Sequence, residues 1–294
     1  MHRHAGDDTS AMPTWGAARV DAIDRLRRGA APATAALDAD LLLAFAAGTT
    51  KEEVLAHPQR PLSDDLATRF SLFVERRATG EPVAYLRGWK EFYGLRFAVD
   101  PRVLIPRPET ETLVDEARGL IAGRALTVVD VGTGSGAIAC ALAAHEPAIR
   151  VIATDMSREA LAVARTNAAS LGVAERIEFR EGDLLAPVTE RVDLVCANLP
   201  YLPEHVLTKL EGDSTSLAFE PRGAVVAGAD GLAVIRRAVS GLPRILAPRA
   251  AALFECDPPQ ADPIAMLLKA LGLDVRIIRD LTGAERVVSG YLPR

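Results

Sequence analysis

From Trp15 to about Gly80 the apolar residues return at helical spacing: Ala22, Ile23 and Leu26, then Leu37, Leu41, Leu42, Leu43 and Phe45, then Leu66, Phe70, Leu72 and Phe73. Breakers at Gly29, Gly48, Pro58 and Pro61 divide the run, which predicts three to five short helices in an all-α domain over residues 15–80. Thr50 ahead of Glu52 and Glu53, and Ser63 ahead of Asp64 and Asp65, read as helix starts. The polar residues 1–14 read as a disordered tail. The pattern changes over residues 81–105, where aromatic and β-branched residues alternate around Gly88 and Gly94, as in a hairpin linking two domains. Pro106 and Pro108 then bracket Arg107 and hold it extended before a helix that begins near Glu109.

Beyond this point, over residues 106–294, strand-like and helix-like stretches alternate. The strand-like runs are Leu126–Val131, Arg150–Thr154, Ile177–Arg180, Val192–Ala197, Ala251–Glu255, Val275–Arg279 and Arg286–Gly290. Helices fit Gly136–His145, Glu159–Leu171, Leu232–Leu242 and Asp262–Leu271. The alternation predicts an α/β, Rossmann-like domain: a mostly parallel seven-stranded sheet covered on both faces, with its ligand at the carboxyl ends of the strands. The link between the last two runs is too short for a helical crossover, so those strands should pair antiparallel.

One stretch organises that domain. An apolar run ends in Asp130, a glycine-dense turn follows at Gly132, Gly134 and Gly136, and an Ala-rich helix begins. Such a turn brings backbone close to a ligand at a helix N-terminus. Two ligands fit it. Gly132-x-Gly134-x-x-Ala137 matches a dinucleotide fingerprint, and Gly132-x-Gly134-x-Gly136 after Asp130 equally looks like an S-adenosylmethionine loop.

Composition narrows the partners. A formal charge of −5 with no Lys/Arg blocks argues against a protein that holds nucleic acid by its phosphates. No apolar run approaches the roughly 18 residues of a membrane span, and the N-terminus lacks the apolar core of an export signal, so a cytoplasmic protein is expected. The three cysteines, Cys140, Cys196 and Cys256, lie in apolar segments as buried thiols, and neither they nor the five histidines show metal-ligand spacing.

Candidate chemistry follows the strand order. Asp155 ends the second strand, where a carboxylate accepts from a ribose diol; the lesser alternative is a cap for the next helix. Asp183 and Leu184 follow the third strand, where they could meet an adenine ring. The fourth ends in Asn198-Leu199-Pro200-Tyr201. There a side-chain carbonyl, the Leu199 carbonyl and an aromatic face together suit a planar NH2 group, which offers two N–H donors and a stacking surface.

This segment is similar to the Asn-Pro-Pro-Tyr motif of methyltransferases that act on planar amino groups. Together with Ile105-Pro-Arg-Pro-Glu-Thr-Glu111, Asp130-Val-Gly-Thr-Gly-Ser-Gly136, Phe219-Glu-Pro221, Gly228-Ala-Asp-Gly231 and the Gly80–Gly88 segment, it resembles the glutamine-N5 methyltransferases of peptide-chain release factors (the HemK/PrmC family). The likeness runs from about residue 37 to the C-terminus. It implies a class I methyltransferase fold, S-adenosylmethionine as donor with S-adenosylhomocysteine as product, and the Gly-Gly-Gln glutamine of a class 1 release factor as acceptor. By the same resemblance Gly132, Thr133, Gly134, Ser135 and Gly136 hold the methionine part of the donor and Asp155 its ribose. Asn198 and Tyr201 are the catalytic pair, binding the substrate amide with Leu199 and Pro200, and the helical domain docks the substrate protein. No membrane or direct nucleic-acid binding is implied, and a monomer is expected.

Three positions depart from the family pattern. Leu199 stands for a proline, keeping the backbone carbonyl while threatening to crowd the amide slot; Leu184 stands for an aromatic; and Glu255-Cys256-Asp257 replaces the more usual Glu-Ile/His-Gly. The rival readings are methylation of another protein's glutamine, such as that of a ribosomal protein, adenine-N6 methylation of nucleic acid, a non-catalytic donor-binding module, and an NAD-dependent dehydrogenase.

Overall fold

The computed structural model describes residues 13–30, 32–206 and 216–292, which form two compact units, one reaching to Arg87 and the second starting at Gly88. The first contains five α-helices among the described residues: α1 (Trp15–Arg27), α2 (Ala35–Ala47), α3 (Lys51–Ala56), α4 (Asp64–Ala78) and α5 (Val83–Arg87). Side chains that compete well for backbone N–H groups start three of them. The Thr14 hydroxyl accepts from Ala17 N–H, Thr50 from Glu53 N–H and Ser63 from Leu66 N–H. Leu26, Leu42, Leu43, Phe70 and Val74 fill the core, with the buried Arg77–Asp38 ion pair (2.7 Å) at its edge.

Two readings need adjustment here. Of the tail expected over residues 1–14, Met1–Met12 lie outside the described residues, but Pro13 and Thr14 are held by Leu62 N–H and by the cap of α1. The stretch Val83–Arg87, taken as part of the hairpin, is a helical turn instead. Pro82 starts it, and its carbonyl accepts from the N–H groups of Tyr85 and Leu86. The hairpin is therefore shorter, β1 (Trp89–Phe92) against β2 (Leu95–Ala98), turned at Tyr93 and Gly94 with φ of 52° and 70°. Its Phe92 and Phe97 are buried in the core of the second unit, beside Leu113 and Val114.

The second unit is a seven-stranded sheet. After α6 (Glu111–Ile121) come β3 (Thr127–Val131), α7 (Ala137–His145), β4 (Arg150–Asp155), α8 (Arg158–Ser170), β5 (Ile177–Glu181) and β6 (Val192–Ala197). The chain ends with α9 (Ala233–Ile245), β7 (Leu246–Glu255), α10 (Ala261–Ala270), β8 (Asp274–Arg279) and β9 (Glu285–Tyr291). The strand order is β5-β4-β3-β6-β7-β9-β8. As the short link requires, β8 and β9 pair antiparallel; β9 is inserted between β7 and β8, so it alone runs against the sheet.

Period-2 alternation divides the strands between two cores. Val129, Val131, Val195, Ala197, Ala252 and Phe254 face α9 and α10, while Val128, Leu194, Cys196, Ala251 and Leu253 face α6 and α7. All three cysteines are buried, and burial pushes the Cys140 and Cys256 thiols up to about 12. No helix among the described residues is long and apolar enough to cross a membrane.

Asn167, almost fully buried on α8, ties three segments together. Its Nδ2 donates to the carbonyls of Ser135 (2.8 Å) and Ala98 (3.0 Å), and its Oδ1 accepts from Ala98 N–H (2.7 Å). Replacing it with alanine strands buried backbone groups. Asn167→Ala is expected to cost about 2–4 kcal/mol in chemical denaturation; a change below about 0.5 kcal/mol would show that the hub is dispensable.

Candidate active site

The site lies where the carboxyl ends of β3, β4 and β6 align, with Val131 opposite both Thr154 and Ala197 in the parallel ladders. Gly132, Gly134 and Gly136 all have positive φ (70°, 53° and 80°), which lets the chain reverse between β3 and α7. The loop is braced from below. Gly132 and Thr133 N–H donate to the Thr154 carbonyl, while Asp130 Oδ2 accepts from the Thr133 hydroxyl (2.6 Å) and from Ala139 N–H (3.1 Å). Burial pushes the Asp130 carboxyl up to about 6 despite these bonds.

Two adjoining cavities open above the loop. The larger, about 240 Å³, is lined by Gly132, Gly134, Asp155, Asp183, Leu184, Asn198, Leu199 and Pro200 among others. The smaller, about 50 Å³, is lined by Gly132, Thr133, Gly134, Ser135 and Asn198, with Leu104, Pro106, Arg107, Thr110, Ala137 and Ile138. Gly136 and Tyr201 line neither. A Cβ on Gly136 would stand 3.1–3.2 Å from Ala164, so this glycine serves the approach of α7 to α8. Tyr201 packs half-buried against the core, its carbonyl accepting from Gln260 Nε2 (2.8 Å), and burial raises its phenol above the ordinary range. The stacking wall expected of its ring is not part of these cavities.

Asp155 accepts from Gly134 N–H and Ser157 N–H, both at 2.9 Å, and burial still raises its carboxyl above the usual range. The helix cap is Ser157, whose hydroxyl accepts from Ala160 N–H. Asp183, on the wall of the larger cavity, is ion-paired with Arg237 at its exposed rim. Leu184 sits at φ 50° with its carbonyl held by the Thr154 hydroxyl (2.9 Å). Leu199 is buried, and its Cδ2 lies 3.0 Å from where a Gly132 Cβ would stand, so its side chain covers the glycine loop.

Asn198 Nδ2 donates to the Thr110 hydroxyl (2.9 Å), and Oδ1 accepts no hydrogen bond among the described residues. Local sequence did not expose Thr110, because its partner is 88 residues away. Arg107 and Glu220 link two more segments: one Glu220 oxygen accepts from the Arg107 guanidinium and the other from Ile105 N–H (3.0 Å). The walls missed by the sequence reading, including Arg102, Met156, Ala224 and Val234, are apolar or solvated positions without a local signature; Pro221, from the Phe219-Glu-Pro221 motif, lines the same cavity. Glu255, at the end of β7, is 1% exposed. Neither carboxylate oxygen makes a hydrogen bond of normal geometry among the described residues, although the Thr110 hydroxyl is near enough to favour the charged form. Burial prevails and pushes the carboxyl up to about 7.

Acidic oxygens on an otherwise apolar wall, beside a backbone loop with left-handed glycines, suit a ligand with ring, hydroxyl and cationic parts, as S-adenosylmethionine has. This fold and site define a class I methyltransferase. Two family models match: the PrmC N-terminal domain over residues 17–88 and the methyltransferase small domain over residues 110–211. The release factor glutamine methyltransferase of Burkholderia pseudomallei (strain K96243) is 43% identical over 266 residues, covering 88% of this chain and 92% of that one. Its counterpart in Bordetella pertussis (strain Tohama I) is 41% identical, covering 89% and 96%. The chain belongs to the release factor glutamine methyltransferase family. The hMettl16 catalytic domain in complex with MAT2A 3′UTR hairpin 6 shares the fold, with TM-score 0.56 and 15% identity over 79% of this chain and 84% of that one.

A pH test follows from Glu255. The unfolded chain loses this proton near the ordinary value of 4.5 and the folded chain only near 7. Stability therefore falls as pH rises through that window, by about 3 kcal/mol from this residue. Glu255→Gln is expected to flatten the slope of unfolding free energy between pH 4 and 8; an unaltered slope contradicts the assignment.

Proposed function

We propose that this protein transfers a methyl group from S-adenosylmethionine to the side-chain amide nitrogen of the glutamine in the Gly-Gly-Gln loop of a class 1 peptide-chain release factor. Relatives about 40% identical along nearly their whole length support the reading. The observation that carries it within the site is the Asn198 amide, whose NH2 is bound to Thr110 while its carbonyl oxygen is left for a ligand at the edge shared by both cavities.

Gly132, Thr133, Gly134 and Ser135 would hold the amino-acid end of the donor, and Asp155 its ribose. When bound, S-adenosylmethionine supplies an electrophilic methyl carbon on a positively charged sulfur. An amide nitrogen is a poor nucleophile, because its lone pair is shared with the carbonyl. Asn198 Oδ1 and the Leu199 carbonyl accept its two N–H bonds, polarise them and aim the nitrogen. The N–C bond forms as the S–C bond breaks, the electron pair stays on sulfur, and one amide proton leaves to water. Fixed dipoles pre-aimed at the reacting atoms carry the rate enhancement, and an ionised base beside Asn198 is not required. The helical unit, residues 15–80, docks the release factor.

Mass spectrometry of a class 1 release factor incubated with the protein and isotopically labelled donor tests the proposal. One added methyl on the Gly-Gly-Gln glutamine is expected, with Asn198→Ala about 100-fold slower. Transfer at the wild-type rate by that variant, or label on another residue, refutes the assignment.

A further inference from the structure

The carboxyl ends of β6 and β7 hold a polar cluster that the reaction as described leaves unexplained. Parallel pairing sets Ala197 opposite Phe254, so the next residues, Asn198 and Glu255, come side by side. Alternation turns both toward the face of the sheet that carries Cys196 and Leu253. The same face is covered by α6, and Thr110 immediately precedes that helix. Thr110 and Glu255 are both buried, at 4% and 1% exposure. Asn198, Glu255 and Thr110 thus converge on one spot at the wall of the smaller cavity, the last two out of contact with solvent.

The hydroxyl oxygen of Thr110 is already accepting from Asn198 Nδ2. Its own proton must go elsewhere, and although neither Glu255 oxygen makes a hydrogen bond of normal geometry, this unpartnered carboxylate lies near enough to the hydroxyl to accept one from it. We propose that ionised Glu255 is a positioning residue for methyl transfer: it accepts a hydrogen bond from the Thr110 hydroxyl, so that the Thr110 oxygen in turn accepts from the NH2 of Asn198 and the Asn198 carbonyl oxygen is presented to the substrate amide. This rests on the reading of Asn198 given above.

A protonated Glu255 reverses the chain. Its O–H donates to the Thr110 oxygen, the Thr110 hydroxyl is released to donate to Asn198 Oδ1, and the amide turns its NH2 toward the substrate. Two donors then face two donors, and the glutamine amide is rejected. The charged and titratable groups around Glu255 are Arg286 and Arg107, which favour ionisation, Glu109, which opposes it, and the neutral Tyr201 and Cys256. Ionisation near pH 7 predicts a kcat rising about tenfold between pH 6 and 8.

Three variants test the chain with release factor as substrate. Thr110→Val, which keeps the shape and loses the hydroxyl, is expected to lower kcat about 10–100-fold with little change in KM. Thr110→Ser should recover most of that loss. In an Asn198→Ala background Thr110→Val should cost less than about twofold, because the group it orients is gone. Glu255→Gln, whose carbonyl can still accept from Thr110, should lose the rise with pH. Wild-type kcat in Thr110→Val, an equal loss in the Asn198→Ala background, or the same acid limb in Glu255→Gln each overturns the proposal.

A readout without donor or release factor separates it from the proposed activity. The Asn198 side-chain NH2 resonances, identified by their loss in Asn198→Ala, should shift with pH near 7 in the wild type and not in Glu255→Gln. Thr110→Val should displace them. Resonances that respond to neither change refute the chain whatever the enzyme methylates; the expected shifts without methylation of a release factor sink the functional reading and leave the chain standing.

Discussion

The ligand edge of the sheet hangs from a carboxylate without a cationic partner. Asp130 is buried at the end of β3, where its one bonded oxygen gathers the Thr133 hydroxyl and the Ala139 N–H. The first fixes the loop and the second lies in the first turn of α7, whose positive end offsets part of the charge. Asp155 repeats the device one strand away by accepting from Gly134 and Ser157, and its charge in turn raises the Asp130 carboxyl. With Glu255, three carboxyl groups are held above their ordinary range along one edge. In each case burial is the first cause, because it disfavours the charged form.

Legibility followed the range of the interaction. The strands of the second unit could be placed from local pattern, Val192–Ala197 to the residue, because apolar runs flanked by helices leave few alternatives. The insertion of β9 between β7 and β8 could not be, since strand order is a non-local property. Asn198 stood out as a polar residue at the end of an apolar strand. Glu255 has the same signature, yet in the sequence it registered only as part of a departure from a family pattern. Asn167, Thr110 and Gln260 were silent because their partners lie 69, 88 and 59 residues away. Arg107 was noticed without a role; Glu220, 113 residues on, supplies one. Tyr201 has a position that the motif alone did not convey: it packs partly buried against the core beside the cavities.

The departures at Leu199 and Leu184 are absorbed by backbone. Leu199 spends its side chain on the space above Gly132, so the carbonyl that matters to an amide is untouched by the change from proline. Leu184 keeps a left-handed conformation, tied down by the Thr154 hydroxyl. Main-chain groups tolerate substitution as long as the path of the chain survives.

The concealed sulfur atoms give the molecule a practical property. Cys140, Cys196 and Cys256 are shut away from solvent with their thiols held far from ionisation, and since the thiolate is the reactive form, alkylating dyes should leave them alone. Met156, 74% exposed and on the wall of the larger cavity, is then a natural position for a single introduced cysteine. A fluorophore attached there would report occupancy of the pocket optically, without the background that native thiols impose on most enzymes.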